Sequence, residues 1–301
     1  MQGSFRCFVT GATGFVGLHL VRALVQRGCE THVLVRHSSA CKPLEGLGEL
    51  LTVHETDGKT QSLVNVLRNS RPELVFHLAA LFVAEHTLDE VEPLIESNVL
   101  LTAQLLEAMA QASAGALVNT GTAWQHYRGD SYEPVCLYAA TKQAAEDLIT
   151  FYRSAVGLRS VTLKLFDTYG PQDPRKKLFD AFNRATKEEN SIAFSEGKQL
   201  IDLVYIDDVI DAYLRAASEC LRLPHGGTST FGVASGAPRT IREIAELYSR
   251  LVGKPLNIRW GARPYRKHEV MIPWQTYPRL PGWVPLIDLE AGIRRIASSK
   301  P

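Results

Sequence analysis

Apolar positions over the first half of this chain follow two periods in turn. Short runs rich in β-branched, aromatic and other apolar residues at 5–10, 31–36, 50–54, 73–77, 115–120 and 159–166 have the length and composition of buried strands. Segments of helical period separate them, at 15–27, 60–70, about 89–112 and 138–156. In the third of these, Val91, Leu94, Ile95, Val99, Thr102 and Leu105 trace one face. Leu74, Val75 and Phe76 are apolar without alternation, which suits a strand buried on both sides. Strands and helices in regular alternation predict an α/β protein with a Rossmann-type, doubly wound parallel sheet. After Tyr169-Gly170-Pro171 the texture turns Pro- and charge-rich with shorter elements. Residues 1–170 are therefore expected to form the sheet domain and 171–301 mainly a smaller C-terminal lobe. Residues 203–205 followed by 207–221 read as a strand and helix that return to the large sheet.

Composition narrows the functional classes. A chain of 301 residues, 45% apolar and 22% charged, is long enough for one large core with an appended lobe. With 33 basic and 32 acidic residues the net charge is +1, so no broad field gathers nucleic acid or an anionic membrane surface. Any anionic ligand must be held locally. The five cysteines are odd in number and lack metal-binding spacing, so no metal site and reduced thiols are expected. The first apolar run ends within six residues at Thr10-Gly11, and no apolar stretch approaches the roughly 18 residues that cross a bilayer. A cytoplasmic protein without a membrane partner is the expectation.

The first strand runs directly into Gly11-Ala12-Thr13-Gly14-Phe15-Val16-Gly17, which opens the first helix. Glycines at this spacing allow a tight turn, close approach of backbone to a pyrophosphate, and close packing of helix on sheet. The helix N-terminus then offers free N–H groups to the anion. At the end of the second strand stands Arg36, where a carboxylate would serve the ribose hydroxyl of NAD and an arginine suits the 2′-phosphate of NADP. NADP(H) is expected over NAD(H). Asp57, after the third strand, is a candidate for the adenine amino group.

Tyr138 and Lys142 are four residues apart, hence on one helix face. An ammonium beside a phenol favours the phenolate, so the pair is expected to exchange a proton with a carbonyl or carbinol oxygen near neutrality. Lys142 would also hold the nicotinamide ribose. Thr122, at the end of the fifth strand, supplies a hydroxyl for the same substrate oxygen.

With these residues in place the chain resembles the extended short-chain dehydrogenase/reductases, in the branch of nucleotide-sugar epimerases, dehydratases and 4-ketoreductases. The resemblance runs nearly end to end. It includes His77-Leu78-Ala79-Ala80, with Leu78, Ala79 and Ala80 beside the cofactor, and Glu96-Ser97-Asn98-Val99 in the following helix. It continues through Lys164-Leu165-Phe166-Asp167-Thr168-Tyr169-Gly170-Pro171, a segment that contacts nicotinamide and substrate, with Leu165 on the cofactor side. Asp202-Leu203-Val204-Tyr205-Ile206-Asp207-Asp208-Val209 and Leu280-Pro281-Gly282-Trp283-Val284-Pro285 complete it.

Departures from the family pattern bear on the reaction. Dehydratases carry Thr-Asp-Glu where this chain has Thr122-Ala123-Trp124, so elimination lacks its acid/base pair. Reductases that also epimerise carry a cysteine at the position of Trp124. What remains is reduction of a nucleotide-linked 4-keto-6-deoxy sugar, favoured by Arg36, with NAD-dependent 4-epimerisation as the alternative. A non-sugar carbonyl reductase and a non-catalytic NADP-binding protein are further alternatives. The resemblance implies a nucleotide-sugar substrate touched by Thr122, Trp124, Asp167, Lys176, Lys177, Arg263 and Arg266, with Asp167 in place of the usual asparagine. His126 and Tyr127 sit in the same loop as Trp124. A homodimer through the helices near 89–112 and 138–156 is also implied.

Overall fold

In the computed structural model, residues 5–39 and 41–298 are described. The outer ends of the two expected domains lie outside the described residues. The first half runs β1 (Arg6–Thr10), α1 (Phe15–Gln26), β2 (Glu30–Arg36), β3 (Leu51–Thr56), α2 (Thr60–Ser70), β4 (Leu74–His77), α3 (Val91–Ile95), α4 (Leu101–Gln111), β5 (Ala116–Thr122), α5 (Leu137–Val156) and β6 (Arg159–Leu165). The second half continues with β7 (Asp167–Tyr169), α6 (Leu178–Ala185), β8 (Ile192–Ala193), β9 (Leu200–Ile201), β10 (Leu203–Tyr205), α7 (Ile206–Arg222), β11 (Thr228–Val233), β12 (Arg239–Thr240), α8 (Ile241–Val252), β13 (Ile258–Arg259) and α9 (Leu289–Ser298).

Among the described residues, seven strands form one sheet in the order β11-β6-β5-β4-β1-β2-β3, with every neighbouring pair parallel. Alternate side chains of the central strands feed two cores, as the pleat requires. Cys7, Val9, Phe76 and Val118 join Leu20 and Leu24 of α1 and Tyr213 of α7 on one face. Phe8, Val75 and Leu117 join Leu67 of α2, Leu105 of α4 and Ile149 of α5 on the other. Two-sided burial explains why these strands read as unbroken apolar runs.

Three details differ from the sequence expectation. Strand β10 does not join the large sheet: it pairs with β7, while α7 does return and packs on β5 and β6. The seventh strand of the sheet is β11, whose Thr228-Ser229-Thr230-Phe231-Gly232-Val233 lies at the edge beside β6 and is buried only at its last two residues. An edge strand with one partner needs no apolar run, so hydrophobic pattern did not mark it. The long third helix is divided into α3 and α4 by a π-helical stretch at Glu96–Leu100. Asn98 in that stretch donates to Thr141 Oγ1 of α5 at 2.9 Å and accepts from Leu81 N at 2.7 Å, fixing the chain that follows β4.

The carboxy-terminal segment is tied to the sheet domain through Asp208. Its carboxylate accepts from Leu286 N at 2.9 Å and Ile287 N at 3.0 Å, and its carbonyl from Trp283 Nε1 at 3.0 Å. The strand order reverses between β1 and β4, so the crevice at the carboxyl ends of the parallel strands is the expected ligand position.

Candidate active site

The glycine turn is built by contact distances that admit no side chain. Gly11 has φ +74°, and a Cβ there would meet Ala79 N at 2.6 Å and the Leu78 carbonyl carbon at 2.7 Å. A Cβ on Gly17 would stand 2.0 Å from Gly11 O, so α1 can approach the turn only as glycine. Gly14 is different: its Cβ would meet only Gly11 O, at 3.3 Å, which leaves the space above the helix start open. Helix α1 begins there with no side-chain cap and no acidic residue in its first turn. Its first N–H groups thus fit a pyrophosphate of a dinucleotide.

Around this turn stand half-buried Thr13, buried Phe15, and Val16, which lines a cleft at the carboxyl ends of the strands. Leu78 and Ala79 lie against Gly11, and Ala79 N donates to Thr10 Oγ1 at 3.2 Å; Ala80 is exposed. Arg36 is exposed at the end of β2, two residues beyond Leu34, the register partner of Thr10. Its backbone N–H donates to Ser39 Oγ at 3.1 Å, closing the turn after β2. Asp57 is exposed beside the start of α2, where its two oxygens accept from Lys59 N at 2.9 Å and Ser62 Oγ at 2.8 Å.

Tyr138, Thr141, Lys142 and Ala145 form the buried face of α5. Tyr138 and Thr122 line the same cleft, as does Leu165. Thr122 Oγ1 accepts from Trp124 N at 3.3 Å, and its backbone N–H donates to Gln125 Oε1 at 3.0 Å. Lys142 is buried beside His77, whose ring bonds Thr10 at 2.7 Å and Thr102 at 2.9 Å. Burial holds His77 neutral, with a pKa near 3, and pulls Lys142 down to about 8. One expectation is reversed. Burial pushes the Tyr138 phenol upward, with a smaller push from Cys136, the opposite direction to the one its spacing from Lys142 predicts. Tyr138 is therefore a protonated phenol at neutral pH.

Facing Tyr138 is an aromatic and charged wall. The Phe82 ring lies 5.0 Å from Tyr138 and 5.5 Å from Trp124, Lys177 Nζ sits 5.4 Å over Phe82, and the Arg266 guanidinium 5.1 Å over Trp124. Each cation has an acid beside it: Lys177 lies 3.7 Å from Asp167, and Arg266 makes a two-pronged contact with Glu269 at 2.8 and 3.0 Å. Arg175 grips Asp173 and also donates to Thr168 O at 2.9 Å. Trp124, Asp167, Lys177 and Arg266 thus line the cleft, whereas Lys176 and Arg263 are exposed and outside its lining. His126 lines it too, stacked 4.0 Å from Trp274, while Tyr127 stacks on His268. Sequence reading assigned no site role to Phe82, Arg175, Asp202 or Glu269. Phe82 had one signal, an aromatic in a loop directly after Ala79-Ala80.

A family model described as the NAD dependent epimerase/dehydratase family matches residues 7–232. CDP-abequose synthase of Salmonella muenchen is 25% identical over 298 residues, which covers 98% of this chain and 98% of that protein. UDP-glucose 4-epimerase of Mycolicibacterium smegmatis is 30% identical over 272 residues, 83% of each. Among solved structures, UDP-glucose 4-epimerase of Thermotoga maritima with UDP-glucose superposes with a TM-score of 0.85, covering 97% of both chains at 23% identity. On the family match and the shared fold, the chain belongs to the NAD dependent epimerase/dehydratase family and is an NAD(P)-dependent oxidoreductase of the extended short-chain dehydrogenase/reductase type.

Proposed function

We propose that the protein reduces the keto group of a nucleotide-linked 4-keto-6-deoxy sugar with NADPH, Tyr138 giving its proton to the carbonyl oxygen. The observation that carries this reading is the state of the acids around Tyr138. Asp202 accepts from Ser235 N at 2.6 Å and Gly236 N at 2.9 Å, Asp167 faces Lys177, and Glu269 is held by Arg266. Each of those carboxylates already has a partner in the cleft wall, and Trp124 occupies the position where elimination would need one. What is left at the reacting end is a proton donor, a hydroxyl and an apolar wall, the set that carbonyl reduction uses. The full-length similarity to a CDP-abequose synthase supports the same class.

When bound at the glycine turn, the cofactor would supply hydride to the carbonyl carbon. Tyr138, kept protonated by its burial, donates to the oxygen as its charge develops. Thr122 Oγ1 donates a second hydrogen bond to that oxygen, and the Lys142 ammonium, one helical turn along, stabilises the phenolate left on Tyr138 until it takes a proton back from solvent. Trp124 and Phe82, 5.5 Å apart, give the cleft an apolar wall that suits the deoxygenated end of the sugar. Lys177 and Arg266 are the basic groups we assign to the nucleotide diphosphate, ahead of Lys176 and Arg263. Arg36 is assigned to the 2′-phosphate of NADP. The exposed apolar groups Ile95, Leu100 and Phe151 on the helices near 89–112 and 138–156 support a homodimer, in a cytoplasmic enzyme. No helix among the described residues is long and apolar enough to cross a membrane.

The 30% identity to a UDP-glucose 4-epimerase favours a second reading, reversible NAD-dependent 4-epimerisation. Fluorescence titration with NADPH and NADH separates the two. Wild-type protein is expected to prefer NADPH by about tenfold to a hundredfold, the value of charge-assisted contacts, and Arg36→Ala to lose that preference. Equal or tighter binding of NADH would turn the assignment toward the epimerase.

A further inference from the structure

Tyr138, Lys142 and Glu146 stand at four-residue intervals on α5, one behind another on the face turned to the sheet. The last of the three has no part in the scheme above. Its side chain is only 17% exposed. Glu146 Oε1 accepts from Gln125 Nε2 at 2.8 Å, and Oε2 lies 3.8 Å from Nζ of buried Lys164 on β6. Gln125 in turn accepts from the backbone N–H of Thr122. Gly121 makes room for this knot: a Cβ there would stand 3.0 Å from Gln125 Oε1, 3.1 Å from Glu146 Oε1 and 3.1 Å from Lys164 Cγ.

Two ammonium groups and one carboxylate therefore share a dry space beneath the catalytic turn. A buried ammonium without a counter-charge gives up its proton readily. We propose that Glu146 is a positioning residue: its charge keeps Lys142 protonated at working pH, and its hydrogen bond to Gln125 steadies the turn carrying Thr122. This rests on the catalytic reading of Tyr138 and Lys142 but not on the identity of the sugar.

The surrounding groups leave this task to Glu146. Lys142 is faced by His77 from β4, which burial keeps neutral, and by Glu146 from its own helix, whose charge opposes the downward pull of burial. Glu146 is faced by Lys164 from β6, Gln125 from the turn after β5, and Lys142 and Asp147 from α5. Lys164 also donates to His126 Nε2 at 2.8 Å, and the His126 Nδ1 contact to Asp130 O at 3.0 Å then assigns a neutral ring.

The test is pH titration of the Lys142 ε-carbon NMR resonance in protein without cofactor, assigned by its loss in Lys142→Met. In Glu146→Gln, which can still accept from Gln125, Lys142 is expected to lose its proton about one pH unit lower than in wild type. Glu146→Asp restores most of that difference. Glu146→Gln combined with Lys164→Met leaves no unpaired charge at Lys164, keeps the test open should the single variant fail to fold, and is expected to show the same lowering when compared with Lys164→Met alone. Where turnover is measured, the alkaline limb of the Glu146→Gln profile moves down by the same interval. An unchanged Lys142 midpoint in the Gln variants overturns the proposal. Because the titration needs neither cofactor nor sugar, it can fail without touching the ketoreductase reading.

Discussion

The two walls of the cleft are made in different ways. On the side of the glycine turn and α5, position is set by backbone and by one helix face. Gly11 and Gly17 leave no room for a Cβ, and Tyr138 and Lys142 are buried in a single arrangement. On the other side, position is set by long side chains that neutralise one another: Arg175 with Asp173, Lys177 with Asp167, Arg266 with Glu269. The first wall is preorganised for its ligand. The second is satisfied before a ligand arrives, so under the proposed reading a diphosphate would compete with Asp167 for Lys177 and with Glu269 for Arg266.

The largest expected effect strikes the preorganised wall at its chemical end. Tyr138→Phe should lower kcat by about 10²- to 10⁴-fold, the usual worth of a positioned proton donor, while NADPH binding measured by fluorescence stays near wild type. Near-normal turnover in that variant would remove Tyr138 from the mechanism. Gly17→Ala comes next. Its Cβ would stand 2.0 Å from Gly11 O, so α1 must shift, at a cost of about 1–3 kcal/mol in stability and with loss of cofactor affinity. Thermal unfolding and a cofactor titration read both. Smallest are the changes on the paired wall, where Lys177→Ala and Arg266→Ala should each raise KM for the sugar substrate by about tenfold with little change in kcat. Lys176→Ala and Arg263→Ala should do much less. If the four behave alike, the contrast between cleft-lining and exposed cations does not govern binding.

The same contrast decides what could be read from the sequence. Strands with neighbours on both sides and helices with one apolar face carry their period in the residues, so β1 to β6, α1, α2 and α5 were predicted within a few residues of their ends. Strand β11 was invisible because an edge position beside β6 tolerates Thr-Ser-Thr and a glycine. Strand β10 was seen but sent to the wrong sheet, since three apolar residues say nothing about which partner they find. Spacing put Tyr138 and Lys142 on one face, but the direction of the tyrosine's shift depended on how dry the site is, which no spacing reveals. In the basic stretch Arg175-Lys176-Lys177 only alternate side chains turn to the cleft, and Arg266 rather than Arg263 lies over Trp124. Charges on loops have no period to betray their direction.

The central claim is net reduction with Tyr138 as proton donor, and one measurement reaches it most directly. Purified protein is mixed with NADPH and an enzymatically prepared nucleotide-linked 4-keto-6-deoxyhexose, and cofactor oxidised is compared with sugar product formed. The account predicts one NADPH consumed for each sugar reduced, and loss of that consumption in Tyr138→Phe. A protein that carries tightly bound NAD, interconverts a nucleotide sugar and its 4-epimer, and consumes no cofactor would contradict it.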